Sequence, residues 1–199
     1  MIDRDRFYST VRSTLFGGKL NKSQVDGMEF ILGVYENEYA DRLSLYDLAY
    51  CLATAYHETA YTMLPIKEYG GNAYFTRMYD ITGNRPSLAR RYGNTTLGDG
   101  PKYCGRGYVQ LTWKINYDKA SRILGLDLVN NPDMVMQPDI AARIMFQGMY
   151  EGWFTGRRLG HYITDTEYDF VEARRIINGT DKAQKIANEA DRFLSALID

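Results

Sequence analysis

Between Ser44 and Glu58 the chain carries a single charged side chain, Asp47, in a run otherwise made of apolar, aromatic and small residues. Ser44 followed by Asp47 is a capping-box-like start, a hydroxyl for the orphan N–H groups and an acid for the positive helix end. Leu45, Leu48, Ala49, Leu52, Ala53 and Tyr56 then recur at helical spacing. The opposite face is also poor in charge, so this helix must be enclosed by others. Glu58 is the first acid after Asp47 and ends the run. The negative end of the helix dipole and partial burial both disfavour its charged form, which suits a proton donor. Glu68 follows beyond the stop implied by Pro65, in Ile66-Lys67-Glu68-Tyr69-Gly70-Gly71. Lys67 and the glycines indicate a wetter site where a carboxylate stays ionised. Two carboxylates pushed toward opposite protonation states are what cleavage of a glycosidic bond requires. Taken singly, each also reads as a solvated surface glutamate, Glu68 more readily than Glu58 because loops are rich in acids.

A chain of 199 residues has the length of one well-packed domain. Lys+Arg 24 against Asp+Glu 25 leaves a net charge of −1, which gives no general attraction to nucleic acid or to a membrane surface. No apolar run reaches the roughly 18 residues of a membrane span, and Met1 to Arg6 lacks the basic start and apolar stretch of a secretory signal. Synthesis in a cytoplasm without export by that route is the expectation. Two cysteines, Cys51 and Cys104, make no disulfide framework and are expected reduced and buried. Tyrosine is in excess, 17 against 8 Phe and 2 Trp, a composition that suits cores and sugar-lined clefts alike.

Helices are predicted for Asp3–Leu15, closed by Gly17-Gly18, and for Ser23 to Tyr35 on Val25, Met28, Ile31, Leu32 and Tyr35. Helical periodicity is lost from Met63 to Pro101, where scattered glycines and tyrosines predict a small β region or a functional loop. Helix returns from Asn116 to a stop at Gly125, and again from Pro138 toward Trp153. Two last helices follow Thr166 and Thr180 as caps, the final one with the stripe Ala183, Ile186, Ala187, Ala190, Phe193, Leu194, Leu197.

In Tyr103-Cys104-Gly105-Arg106-Gly107-Tyr108-Val109-Gln110-Leu111-Thr112-Trp113-Lys114-Ile115-Asn116-Tyr117, polar Gln110 and Thr112 alternate with Val109, Leu111 and Trp113. Alternation of period two predicts an extended segment with Gln110, Thr112 and Arg106 on one side, the pattern of a cleft wall and of an ordinary edge strand. Preceded by His57-Glu58-Thr59, this motif resembles glycoside hydrolase family 19, which contains plant-type chitinases and many bacteriophage endolysins. Both motifs, their order and the helical frame around an irregular middle match, so the resemblance spans most of the chain. It implies a lysozyme-like, mainly α-helical (α+β) fold with a small irregular region from about residue 63 to 113, and hydrolysis with inversion. Glu58 is then the general acid and Glu68 the general base, and inversion needs their carboxyl groups about 6.5 to 9.5 Å apart. Thr112 falls where the family uses Ser or Thr to hold the attacking water. Gln110 and Asn116 stand where it contacts sugar, and Asn178, in Ile176-Ile177-Asn178-Gly179, resembles its late Ile-Asn-Gly segment. His57, Tyr103, Arg106, Trp113 and Tyr117 complete the set assigned to substrate.

Cys104 and Tyr108 replace the Tyr and Pro usual in the plant enzymes, their disulfides have no counterpart, and the stretch between the two glutamates is much shorter. These departures point to the phage endolysin branch. A monomer with one catalytic domain over 1–199 and no separate wall-binding domain is the expectation. Its substrate would be bacterial peptidoglycan, reached after release through the inner membrane, with no metal or organic cofactor, nucleic acid or membrane insertion. Chitin is the alternative substrate. A zinc-peptidase reading of His57-Glu58 fails because the second histidine of H-E-x-x-H would fall at Tyr61. A lytic transglycosylase, using one acid, and a catalytically silent wall-binding or virion module stay as rivals.

Overall fold

Asp3, Asn21 and Ser44 each accept a first-turn backbone N–H through a side-chain oxygen, and Asn21 and Ser44 close full capping boxes with Gln24 and Asp47. In the computed structural model, which describes residues 1–164 and 166–198, the helices these caps start are α1 (Arg4–Thr14), α2 (Lys22–Val34) and α3 (Leu45–Glu58). A π-helical turn, Tyr35–Tyr39, extends α2. Then come β1 (Ile66–Lys67), α4 (Asn72–Tyr79), α5 (Pro86–Arg91), α6 (Asp99–Lys102), β2 (Arg106–Gly107) and α7 (Lys114–Leu124). After a 3-10 turn, Pro132–Met136, the chain ends in α8 (Pro138–Glu151), 3-10 turns Leu159–His161 and Glu172–Ile176, and α9 (Ala183–Ile198). The fold is mainly α-helical with one small sheet, as the sequence predicts. It divides into two compact units, Met1–Leu64 with Ala142–Asp199, and Pro65–Ala141.

In the first unit α3 is enclosed over Leu48–Ala55, and every residue of the predicted α9 stripe is buried. Phe193 packs on Phe7 and on Tyr56 with ring centroids 6.4 and 5.9 Å apart, and the Tyr56 hydroxyl donates to the Leu15 carbonyl at 2.7 Å. Each aromatic ring removed from water here contributes roughly 2 kcal/mol. The end of α3 is not set by Pro65. Ala60, Tyr61 and Met63 adopt positive φ of 50°, 69° and 59°, and buried Thr59 locks the turn by donating to Ala55 O and accepting from Met63 N. Left-handed backbone costs about 1 kcal/mol per non-glycine residue, so the packing that follows must hold it. Gly27 provides part of that packing, since a Cβ there would lie 2.0 Å from the Met63 carbonyl oxygen. After Thr166 the predicted helix is only the five-residue 3-10 turn Glu172–Ile176.

In the second unit β1 and β2 pair antiparallel, Ile66 with Gly107 and Lys67 with Arg106. The region predicted as β or loop instead holds α4, α5 and α6, which are too short to show a helical repeat in sequence. Buried side chains supply their order. Asp80 accepts from Thr82 N, Gly98 N and Gly100 N. Burial works against its charge, but those N–H groups hold its carboxyl below the usual range. Asn94 accepts from Lys114 N at the start of α7 and donates to the Tyr79 carbonyl. The extended segment predicted at Val109–Trp113 is a tight reversal: Gln110 and Trp113 have φ of 53° and 77°, and Leu111 turns back to bridge Arg106. Cys51 and Cys104 are free and buried.

Glu189 on α9 generates a stability prediction. Its side chain is 8% exposed, Oε2 has no partner among the described residues, and Lys185 Nζ is 3.9 Å from Oε1. Burial raises its pKa above the ordinary range. A raised folded-state pKa favours folding at low pH, and this contribution is lost as pH rises through the folded value. Glu189→Gln, which cannot ionise, should therefore have a higher thermal midpoint than the parent at about pH 7.5 and lose that advantage by about pH 4. Thermal melts across that range test it, and a difference independent of pH would refute it.

Candidate active site

Glu68 follows β1 directly and is strapped to Gly105 in both directions: its N–H donates to Gly105 O at 2.8 Å, and its Oε2 accepts from Gly105 N at 3.2 Å. Its other oxygen accepts from the Tyr79 hydroxyl at 2.8 Å and the Tyr74 hydroxyl at 3.4 Å, both from α4. Burial first, then the hydrogen bond to Glu68, raises the Tyr79 phenol well above its ordinary pKa, so it remains a donor to the carboxylate. A Cβ built on Gly105 would lie 2.9 Å from Gln110 Oε1, 3.2 Å from Glu68 Oε2 and 3.3 Å from Thr112 Oγ1. Three polar side chains thus converge on a residue that has none. Thr112 donates to the Gln110 carbonyl at 2.9 Å, which leaves its oxygen lone pairs to accept. A carboxylate and a hydroxyl acceptor so disposed can share one water, orient it and take its proton.

Glu58, in the other unit, closes α3 and is bound by a buried cation. Arg174 Nη1 donates to Glu58 Oε1 at 2.7 Å, with 4% of the Arg174 side chain and 19% of the Glu58 side chain exposed. Arg174 Nε donates to the Asp181 carbonyl, which fixes the guanidinium from behind. The purely apolar helix end expected for Glu58 is therefore an ion pair on one side. His57 beside it is half-buried, Nδ1 has no hydrogen-bond partner among the described residues, and burial lowers its pKa, which keeps the ring neutral at neutral pH.

The residues assigned to substrate separate by burial. Tyr103, Arg106 and Tyr117 are 1%, 3% and 0% exposed. Arg106 donates to Asp133, to the Lys102 and Cys104 carbonyls and to the Tyr117 hydroxyl, while Tyr103 donates to Val129 O. These side chains have no free surface to offer a sugar and act as framework, a correction that follows from the reversal at Gln110. Gln110 spends its amide N–H groups on the Ile66 and Gly107 carbonyls, and Asn116 donates to Thr112 O. Trp113 is partly exposed between Tyr92, stacked at 5.3 Å, and Tyr79, edge-on at 5.1 Å. Asn178 is exposed, in the same unit as Glu58.

Sequence reasoning missed Arg174, Tyr74, Tyr79 and the void at Gly105. Arg174 left one signal, a cation between Ala173 and Ile176-Ile177, where an apolar context demands an acid partner. The Gly105 void generates a prediction. All three atoms that an added methyl would meet are ends of side chains, so Gly105→Ala should fold with a nearly unchanged thermal midpoint. Displaced by a few tenths of an ångström to an ångström, the groups should lose about 10- to 100-fold in kcat. Retained activity in a folded Gly105→Ala protein would show that the convergence is incidental.

The family model of glycoside hydrolase family 19, described as chitinase class I, matches residues 40–160. Chitinase 3 of Oryza sativa subsp. japonica is 32% identical over 111 residues, 55% of this chain and 33% of that protein. Inactive chitinase-like protein 1 of Hevea brasiliensis is 45% identical over 56 residues, 28% of this chain and 17% of that protein. The matched part spans a third or less of the length of these relatives. Chitinase C from Streptomyces griseus HUT6037 superposes with TM-score 0.63 at 22% identity, covering 98% of this chain and 76% of that one. A class IV chitinase from Zea mays gives 0.57 at 18%, covering 96% and 90%. At these identities the structural likeness is one of fold. With more than half of its length matched by the family model, the chain belongs to glycoside hydrolase family 19.

Proposed function

We propose that this chain hydrolyses the β-1,4 glycosidic bonds of bacterial peptidoglycan as an endolysin, with Glu58 as general acid, Glu68 as general base and Thr112 holding the attacking water. The observation that carries the assignment of Glu68 and Thr112 is that Oε2 and Oγ1 lie 3.2 and 3.3 Å from where a Cβ on Gly105 would sit. Family membership alone would not carry it, because one relative is named inactive. In this mechanism Glu58 protonates the leaving glycosidic oxygen while Glu68 takes a proton from water attacking the opposite face of the sugar. Arg174 and Tyr79 position the two carboxylates. Support for peptidoglycan comes from the departures from the plant pattern, namely the short stretch between the glutamates and two cysteines that are free rather than paired. Chitin is the second reading, favoured by the names of the relatives and solved structures, all chitinases or chitinase-like.

Glu58→Gln should bind glycan but lose about 100- to 10,000-fold in rate, because an amide cannot protonate the leaving oxygen. Its amide oxygen can still accept from Arg174, so the variant should fold with a lowered thermal midpoint. The assay compares purified sacculi with an N-acetylglucosamine hexamer, using mass spectrometry of borohydride-reduced products. Cleavage of the hexamer alone would transfer the assignment to chitin, and anhydro-ring products would transfer it to lytic transglycosylation. Near-parental lysis by Glu58→Gln would end the assignment of the acid.

Inversion yields a stereochemical prediction. NMR during early hydrolysis of a soluble β-linked oligosaccharide should show the α-anomer first. A β-anomer appearing first would mean retention, and Glu68 could not be the water-activating base.

A further inference from the structure

We infer that Arg157 forms, with Asn178, a recognition site for a carboxylate appended to the glycan chain. The inference rests on the proposed peptidoglycan reading and specifies how such a substrate would be told from chitin. In peptidoglycan every second sugar bears a lactyl ether that ends in a carboxyl group or in a peptide carrying its own carboxylates. Chitin bears none.

The site is a surface depression of about 370 Å³ lined by Thr155, Arg157, Arg175, Ile177, Asn178 and Gly179, all within the unit that holds Glu58. One wall shares its backbone with the partner of the acid. Arg174, bound to Glu58, precedes Arg175 directly, and its carbonyl accepts from Asn178 N at 3.0 Å. Any sugar held at Glu58 therefore lies against the unit that presents this depression. The opposite wall is the turn Gly152–Arg157, and its course is fixed at both ends. Gly152 has φ of 79°, and a Cβ there would sit 3.0 Å from the Arg157 carbonyl oxygen. Thr155 Oγ1 donates to the Arg175 and Ile176 carbonyls and accepts from Arg157 N at 3.2 Å.

Charge separates the two arginines. Arg175 is paired with Glu172 at 2.6 Å. Arg157 is exposed and has no carboxylate partner among the described residues. Asn178 Oδ1 accepts from Gly179 N at 2.8 Å, which leaves its amide N–H groups as donors lining the same depression. A free guanidinium fork beside an amide donor matches the two oxygens of a carboxylate, whereas a neutral N-acetylglucosamine chain offers the guanidinium no counter-charge.

The test measures kcat/KM of the full chain and of Arg157→Gln and Arg157→Lys on three substrates. They are intact sacculi, glycan strands stripped of peptide by an amidase, and stripped strands whose lactyl carboxylates have been converted to methylamides. Arg157→Gln should lose about tenfold on a carboxylate-bearing substrate, mainly through KM, and change less than about twofold on the amidated strands. Arg157→Lys should recover part of the loss, and added salt should narrow the gap between parent and variant. A loss confined to stripped strands assigns the lactyl carboxylate, and one confined to intact sacculi assigns a carboxylate of the peptide. No loss, or an equal loss on all three, would overturn the inference and leave Arg157 as a solvated surface cation. A parent that cuts none of the three would instead defeat the peptidoglycan reading itself.

Discussion

A guanidinium that is 3% exposed cannot be left short of acceptors, and the order of the second unit depends on how Arg106 is satisfied. Asp133, two carbonyls from Lys102 and Cys104, and the Tyr117 hydroxyl surround it. These partners come from α6 and the loop after it, from α7 and from the 3-10 turn Pro132–Met136, so a single side chain draws together short elements that are separate in sequence. Gly105 lies between Cys104, whose carbonyl Arg106 holds, and Arg106 itself. Its N–H is thereby fixed toward Glu68, and its missing Cβ leaves the space on which Glu68, Gln110 and Thr112 converge. The arginine orders the backbone, the first glycine leaves room for the close approach of Glu68, Gln110 and Thr112, and the second, at φ of 89°, begins the reversal toward Gln110.

The first unit uses a different economy. Its core is continuous and mostly apolar, from Phe7 through Phe193 to Tyr56. Arg174 is enclosed at 4% exposure and, among the described residues, is paired with the Glu58 carboxylate. The energy of helix packing is thereby separated from the placement of the acid. α3 brings Glu58 to its end by ordinary burial, and Arg174 then restricts which way the carboxylate turns.

Features written in local chemistry were legible in the sequence. Ser44 with Asp47, the stop at Gly125 and the start at Pro138 are decided within a few residues, and each stands as read. What depended on distant partners was not. Arg174 meets Glu58 across 116 positions, and no periodicity predicts that meeting. The three helices between Asn72 and Lys102 are shorter than the window over which a helical repeat can be read, and Asp80 and Asn94 hold them through bonds to backbone 15 to 20 residues away. The alternation at Val109–Trp113 misled because period two records which side chains are apolar and not the sign of φ. Arg106, Tyr103 and Tyr117 were read as substrate contacts because polar and aromatic residues in a functional motif look alike whether they face solvent or hold the motif from behind. Burial alone separates the two.

The Glu58–Arg174 pair also bears on how a chain of this family can lose catalysis. Removing one partner of a fully buried pair costs roughly 3–5 kcal/mol, and less here because Glu58 keeps 19% exposure. Most of that cost comes from the arginine left behind without its counter-charge. Loss of Glu58 by itself is therefore penalised in stability, whereas loss of Glu68 leaves no buried charge behind. Glu68 is bound by neutral donors: the Tyr79 and Tyr74 hydroxyls can rotate to other acceptors, and only the fixed Gly105 N–H is left needing a replacement acceptor. The expected stability cost of replacing the two glutamates is asymmetric. Glu68 and Thr112 can be replaced singly, whereas Glu58 is replaced without a large loss of stability only by a side chain that still accepts from Arg174, or together with Arg174.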